Sequence, residues 1–134
     1  MLRRDLLTAE IKKLAEALAR ILGLKKEGQT EEADVQLQEM LEREYGLSYK
    51  DLHGLHNADF LELLHKAQFP AEKLDVLTQI LYSIFEPTKQ DKENQAIATK
   101  LQSVYQLLVT EYRIINMINL ERETVIKNYL NTTS

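Results

Sequence analysis

The sequence predicts an all-α protein, a compact bundle of five or six helices. Three observations carry that prediction. Only four glycines and two prolines punctuate 134 residues, and turn-rich sheet proteins need many more such breaks. Apolar residues recur at helical spacing from Leu7 through Ile11, Leu14 and Leu18 to Ile21, which places them on one face of a helix. Hydrophobic residues make up 44% and charged residues 28%, a balance found in globular chains rather than disordered ones. A chain of this length reads as one domain able to bury a core without staples.

The first helix is expected over residues 5–26. Ala15, Ala17, Leu22 and Leu24 widen its apolar stripe, and the small alanines let a neighbouring helix approach closely. The stripe lasts only about three heptads, so a partner helix within the chain is expected rather than a coiled coil. Gly28 stops the helix, because glycine adopts the left-handed conformation that closes a helix end. Thr30 is the expected N-cap of a second helix ending near Gly46, with Glu31 and Glu32 where the helix dipole favours negative charge. Ala33, Leu37, Met40 and Leu41 form its buried stripe. So short a link folds the two helices back antiparallel, giving a hairpin over 5–45.

Connecting helices are expected over 48–69, the first capped by Ser48 and ending near Gly54. The second is capped by Asn57 and carries Phe60, Leu61, Leu63 and Leu64. Pro70 suits the opening of the next helix, over 71–86, with Leu74, Leu77, Ile80, Leu81, Ile84 and Phe85. Glu86-Pro87 ends it, since the residue before proline is pushed out of helical geometry. A polar link leads into a long helix over 91–115, marked by Ala96, Leu101, Val104, Leu108 and Ile115 with Tyr105 and Tyr112. These two helices make a second hairpin, 71–115. Asn116 or Asn119 interrupts the pattern, and a short C-terminal helix follows over 120–131.

The stretch "KKEGQTEEADVQLQEML" resembles the middle of a tetratricopeptide hairpin. That family places a glycine at the inter-helix turn, an acidic pair before a small alanine, and a large apolar residue four positions on. Gly28, Glu31, Glu32, Ala33, Leu37, Met40 and Leu41 match in register. Over the full length, "RRDLL", "LGLKKEGQ" and "INLERE" resemble a small uncharacterised bacterial family of tetratricopeptide-like proteins, whose motifs are structural and which brings no known activity. The sequence departs from the repeat at Ala17 and Arg20, where early aromatic or leucine positions fall, and at Tyr45, where the closing proline falls. The second hairpin has Pro87 in place of the glycine turn. Since repeat arrays need about three units, a compact bundle of this type is expected rather than an open solenoid. Family members that hold peptide C-termini line their groove with lysine and asparagine. The matching positions here are Ala15, Leu18, Leu22, Lys25 and Lys26, of which only the lysines can meet a carboxylate.

Composition excludes several chemistries. With no cysteine there is no disulfide, thiol catalysis, Fe–S cluster or cysteine-based zinc site. No glycine-rich phosphate loop, nucleophile elbow or HExxH motif occurs. Glu62-Leu-Leu-His65 is one inward-type Glu-x-x-His pair, but a di-iron bundle needs two. No catalytic residue and no cofactor is expected. His53 and His56 stand three apart, and His65 lies nine further on, which leaves a histidine-based metal or small-ligand binder as a rival reading. The net charge of −4 argues against nucleic acid. The local exception, Arg3, Arg4, Lys12 and Lys13, reads as the exposed face of the first helix. No membrane span or signal peptide is expected, so the chain reads as cytoplasmic.

What remains is a non-enzymatic protein–protein interaction domain, an adaptor or scaffold with an unidentified protein or peptide partner. Its groove is expected beside the first and fourth helices, with Lys25, Lys26, Tyr82 and Tyr112 as partner-binding residues. The alternative is a homodimeric structural protein. "YRIINMI" (112–118) is the most apolar stretch outside the hairpins and, if exposed, the best candidate for a dimer or partner contact.

Overall fold

The computed structural model describes residues 2–133, and side chains from 5 to 132. All regular structure among these residues is helical: α1 (Leu2–Lys26), α2 (Thr30–Tyr45), α3 (Tyr49–Gly54), α4 (Asn57–Ala67), α5 (Ala71–Ile84), α6 (Lys92–Thr110) and α7 (Met117–Thr133). The all-α expectation holds. Seven helices are described where an overall count of five or six was expected, and the six-residue α3 corresponds to the short connecting helix expected to end near Gly54. The chain divides into two compact units, one up to Ser48 and the other from Tyr49.

In the first unit α1 packs on α2. Gly28, at φ 89°, makes the turn with two bonds: its N–H donates to Lys25 O (3.2 Å), and the Gln29 N–H to Leu24 O (2.9 Å). This pair of bonds satisfies carbonyls that a helix end otherwise leaves open. A Cβ added at Gly28 would meet nothing within 4 Å, so an alanine there brings only backbone strain. Gly28→Ala is expected to lower stability by about 1 kcal/mol, read as a lower urea midpoint with an unchanged slope. Thr30 is not the cap expected of it. It is the first helical residue, and Gln29 occupies the cap position without a side-chain cap bond.

Ala33, Leu37, Met40 and Leu41 are buried as expected, together with Leu14, Leu18 and Ile21 of α1. The early part of the α1 stripe is not. Leu7 is 36% exposed and Leu6 62% exposed, and Ile11 is half-buried. The reason is length: α1 has 25 residues against 16 in α2, so at 1.5 Å per residue it is longer by about 14 Å.

In the second unit α6 is the axis, packing against α3, α4, α5 and α7. Its buried face comprises Ile97, Ala98, Leu101, Val104, Tyr105, Leu107 and Leu108, with Asn94 and Lys100 also buried. Phe60 and Leu64 of α4 and six residues of α5 complete this core. α5 ends at Ile84 rather than 86, with Phe85 already extended (ψ 136°) two residues before Pro87. α6 ends at Thr110, short of the expected 115, because Arg113 takes a left-handed conformation (φ 55°) and the Ile114 N–H turns back to Leu108 O (2.9 Å). Asn116 then caps α7, its Oδ1 accepting the Asn119 N–H at 2.8 Å. The last helix is therefore 17 residues long and opens three residues before the expected 120.

Candidate functional site

Two concave surfaces stand out, one in each unit. The first is a trough along the α1–α2 pair. Glu10, Lys13, Leu14, Glu16, Ala17 and Arg20 of α1, with Arg43 and Glu44 of α2, enclose roughly 580 Å3 of it. A narrower stretch of roughly 280 Å3 shares Ala17, Arg20 and Arg43 and runs on between Ile21, Val35, Gln36, Glu39 and Met40. Arg43 Nε donates to its neighbour Glu44 at 3.2 Å, an exposed pair that contributes little to stability. Val35, half exposed, adds an apolar ledge. The trough is thus lined by small and apolar side chains together with charges of both signs, a pattern shared with protein–protein contacts.

The second concavity lies where α7 starts against α5, enclosing roughly 360 Å3 between Asp75, Gln79, Asn116, Met117, Ile118, Asn119 and Arg122. Asp75 is held by amides: Asn119 Nδ2 donates to Oδ1 (2.9 Å) and Gln79 Nε2 to Oδ2 (3.3 Å). The Arg122 guanidinium stacks 4.6 Å over the Tyr82 ring. Beneath them Tyr105 is buried, and that burial pushes its hydroxyl well above the ordinary tyrosine value.

The residues expected to bind a partner fall in different places. Lys25 and Lys26 are exposed in the last turn of α1, where the helix dipole favours cations. Tyr82 and Tyr112 belong to the second unit. Tyr82 is half-buried with its ring under Arg122. Tyr112, more exposed, reaches Phe69 O with its hydroxyl at 3.4 Å. Lys12 and Lys13 are exposed on α1, and the side chains of Arg3 and Arg4 lie outside the described residues.

The histidines have separate partners. His53 lies against the Tyr49 ring at 6.5 Å, and His56 is exposed at the N-cap of α4. His65 sits between Leu61 O (3.0 Å from Nδ1) and the Glu111 carboxylate (3.2 Å from Nε2). Among the described residues no three His, Asp or Glu side chains gather so as to hold a metal. No helix there is long and apolar enough to cross a membrane.

Sequence reasoning missed two buried polar groups in the second unit. Lys100, only 2% exposed, donates from Nζ to Leu55 O at 2.7 Å and lies 5.9 Å from the Phe60 ring centroid. It meets the carbonyl end of α3, which a cation complements, and burial lowers its pKa from the ordinary lysine value. Close by along α6, the Ser103 hydroxyl accepts from Asn57 Nδ2 at 2.7 Å. Asn57 therefore reaches across to α6 instead of capping α4. Asn94 is the second group. Its Oδ1 accepts the Glu86 N–H (2.9 Å), and its Nδ2 lies within bonding distance of Glu86 O, Lys89 O and the Tyr129 hydroxyl. A lysine beside Leu101 and an asparagine in "KENQ" carry no signal that separates them from surface residues.

Comparison with protein-family models, with curated proteins and with solved structures returned no match.

Proposed function

We propose that the chain is a non-catalytic protein–protein interaction domain whose first unit is a tetratricopeptide-like hairpin and whose docking face is the α1–α2 trough. The observation that carries this reading is the trough itself, two adjoining concavities that share Ala17, Arg20 and Arg43. Two antiparallel helices leave such a trough where a third helix would complete a three-helix layer. Gly28 at the turn and the fully buried Ala33 support the tetratricopeptide-like character of the pair. In this reading that character is confined to the first unit, while the second is organised around α6.

The occupant is a helical segment of a partner protein, presenting small apolar residues to Ala17 and Val35 and charges to the mixed rims. Lys25 and Lys26, at the end of α1, contact its flank. The test is affinity capture from a native lysate with the intact chain, compared with an Ala17→Glu/Val35→Glu variant. Neither position is buried, so the variant is expected to keep its helicity and to lose the partner by at least tenfold. A partner retained by that variant but lost by Lys25→Glu/Lys26→Glu would move the site to the turn end of α1. A partner that survives both variants would remove the trough from consideration.

A further inference from the structure

We propose that the concavity between α5 and α7 binds a free α-amino acid with an apolar side chain, its carboxylate on Arg122 and its ammonium on Asp75. What carries the proposal is a pair of opposite charges, half-buried in one small concavity, that do not meet. Asp75 is held by neutral amides, its Oδ1 accepting from Asn119 Nδ2 at 2.9 Å and its Oδ2 from Gln79 Nε2 at 3.3 Å. The Arg122 guanidinium lies over the Tyr82 ring, 4.6 Å from its centroid, and among the described residues it has no carboxylate within 4 Å. Neither contact cancels a charge. One amide on each carboxylate oxygen leaves further lone pairs for an ammonium, and a ring against the guanidinium face leaves its N–H edges for a carboxylate.

The spacing of the two charges sets the size of the ligand. On α5, Tyr82 stands two turns beyond Asp75, about 10 Å of helix, with Gln79 between them. On α7, Arg122 stands one turn beyond Asn119 on the same face. The guanidinium and the carboxylate are thus separated by one to two turns, roughly 5 to 10 Å. An α-amino acid bonded at both ends spans about 9 Å, because its two charged groups are about 3 Å apart and each hydrogen bond adds about 3 Å. Contacts within the protein hold both charges in place before any ligand arrives, which lowers the cost of binding.

The surroundings select the rest of the ligand. Met117 and Ile118, 72% and 60% exposed, line the same concavity and give an apolar side chain a surface to cover. A volume of roughly 360 Å3 is at the small end for ligand pockets, which suits a single amino acid. Beneath it the Tyr105 hydroxyl, 1% exposed, has no hydrogen-bond partner and lies within electrostatic reach of Asp75, Tyr82 and Arg122. A buried hydroxyl ordinarily finds a partner, so polar capacity remains unspent at the centre of the site.

The site lies in the second unit, so it and the trough of the first unit can fail separately. NMR of the intact, isotope-labelled chain titrated with leucine, methionine and phenylalanine up to about 10 mM tests it. At least one of the three is expected to shift the side-chain amides of Gln79 and Asn119 saturably, with a Kd between about 10 µM and 1 mM. Two blocked forms of the tightest binder then test each charge on the wild type. The N-acetyl form lacks the ammonium, the amide form lacks the carboxylate, and each is expected to bind at least tenfold more weakly. Arg122→Met keeps a stem over Tyr82 and is expected to weaken binding at least tenfold with helicity unchanged. No saturable shift from any of the three, or shifts that fall outside the concavity, would overturn the proposal. So would full binding by Arg122→Met, or by either blocked form, which would point instead to a peptide terminus. Should Arg122→Met lose helicity, the blocked forms on the wild type decide alone.

Discussion

Replacing Asn94 by alanine is expected to destabilise the second unit by about 3 kcal/mol. The side chain is 5% exposed and ties the α5–α6 link to itself at both ends of Glu86, donating to its carbonyl (2.7 Å) and accepting its N–H (2.9 Å). It also lies 2.9 Å from Lys89 O and 3.0 Å from the Tyr129 hydroxyl, which donates in turn to Lys89 O at 2.6 Å. Removing the amide leaves several backbone and side-chain groups without partners, each costing about 1–3 kcal/mol when buried and less where water can enter. Asn94→Asp keeps the acceptor and loses both donors, so it is expected to recover little. Tyr129→Phe removes one bond and is expected to cost about 1 kcal/mol. Because the two residues share Lys89 O, the double variant should fall short of the sum by about 1 kcal/mol or more. Urea unfolding of the wild type and the four variants measures all of this, and strict additivity of Asn94→Ala and Tyr129→Phe would refute the shared network.

The second large effect lies at Lys100. Truncation to alanine removes a buried stem and leaves Leu55 O without its donor, an expected loss of about 3 kcal/mol. Lys100→Met keeps the stem and removes the charge. It loses the bond to Leu55 O but escapes the cost of burying an ammonium, so its penalty is expected to stay below about 1.5 kcal/mol. The order alanine, methionine, wild type in rising stability is the signature of a lysine that works through both its stem and its head.

The pH dependence has a definite sign. Burial holds Lys100 below the ordinary lysine value of 10.5, so between the two values the unfolded chain binds more protons than the folded one. Stability of the wild type therefore rises with pH through that window relative to Lys100→Met. Tyr105 acts in the opposite direction, but only above pH 10: burial raises its hydroxyl above the ordinary value, and stability is lost as the unfolded tyrosine ionises. Comparing wild type with Lys100→Met between pH 8 and 10 isolates the lysine. A gap that stays constant across that range would show that the buried ammonium keeps its ordinary affinity for protons.

Much of the helical layout was legible in the sequence, and the reason is local. Gly28 and Gly46 mark helix ends because only a residue without a Cβ takes their positive φ freely. Pro87 marks the link after α5 through sterics confined to Glu86, although Phe85 has already left the helix. The buried stripe of α2 matches its residues because a 3.6-residue period needs no knowledge of the partner helix. Where a signal depended on which of two local options won, it was read less well. Thr30 and Asn57 have the chemistry of caps, yet the chain enters each helix one residue earlier, and Asn57 finds Ser103, 46 positions away.

The sequence by itself determined that this chain is helical, where most of its helices start and stop, and that cysteine chemistry is closed to it. Only the tertiary structure decided which apolar residues are covered. Leu7 and Ile115 continue periodic stripes as faithfully as Leu18 and Leu108, yet one pair is exposed and the other buried. α2 is shorter than α1, and a left-handed Arg113 ends α6 early. The same holds for the polar core. Lys100 and Asn94 are ordinary surface residue types until Leu55 O, Glu86 and Tyr129 are brought to them. Periodicity fixes the direction a side chain takes from its own helix. Burial depends on what stands opposite, and that is set by helix lengths and long-range contacts that no local pattern encodes.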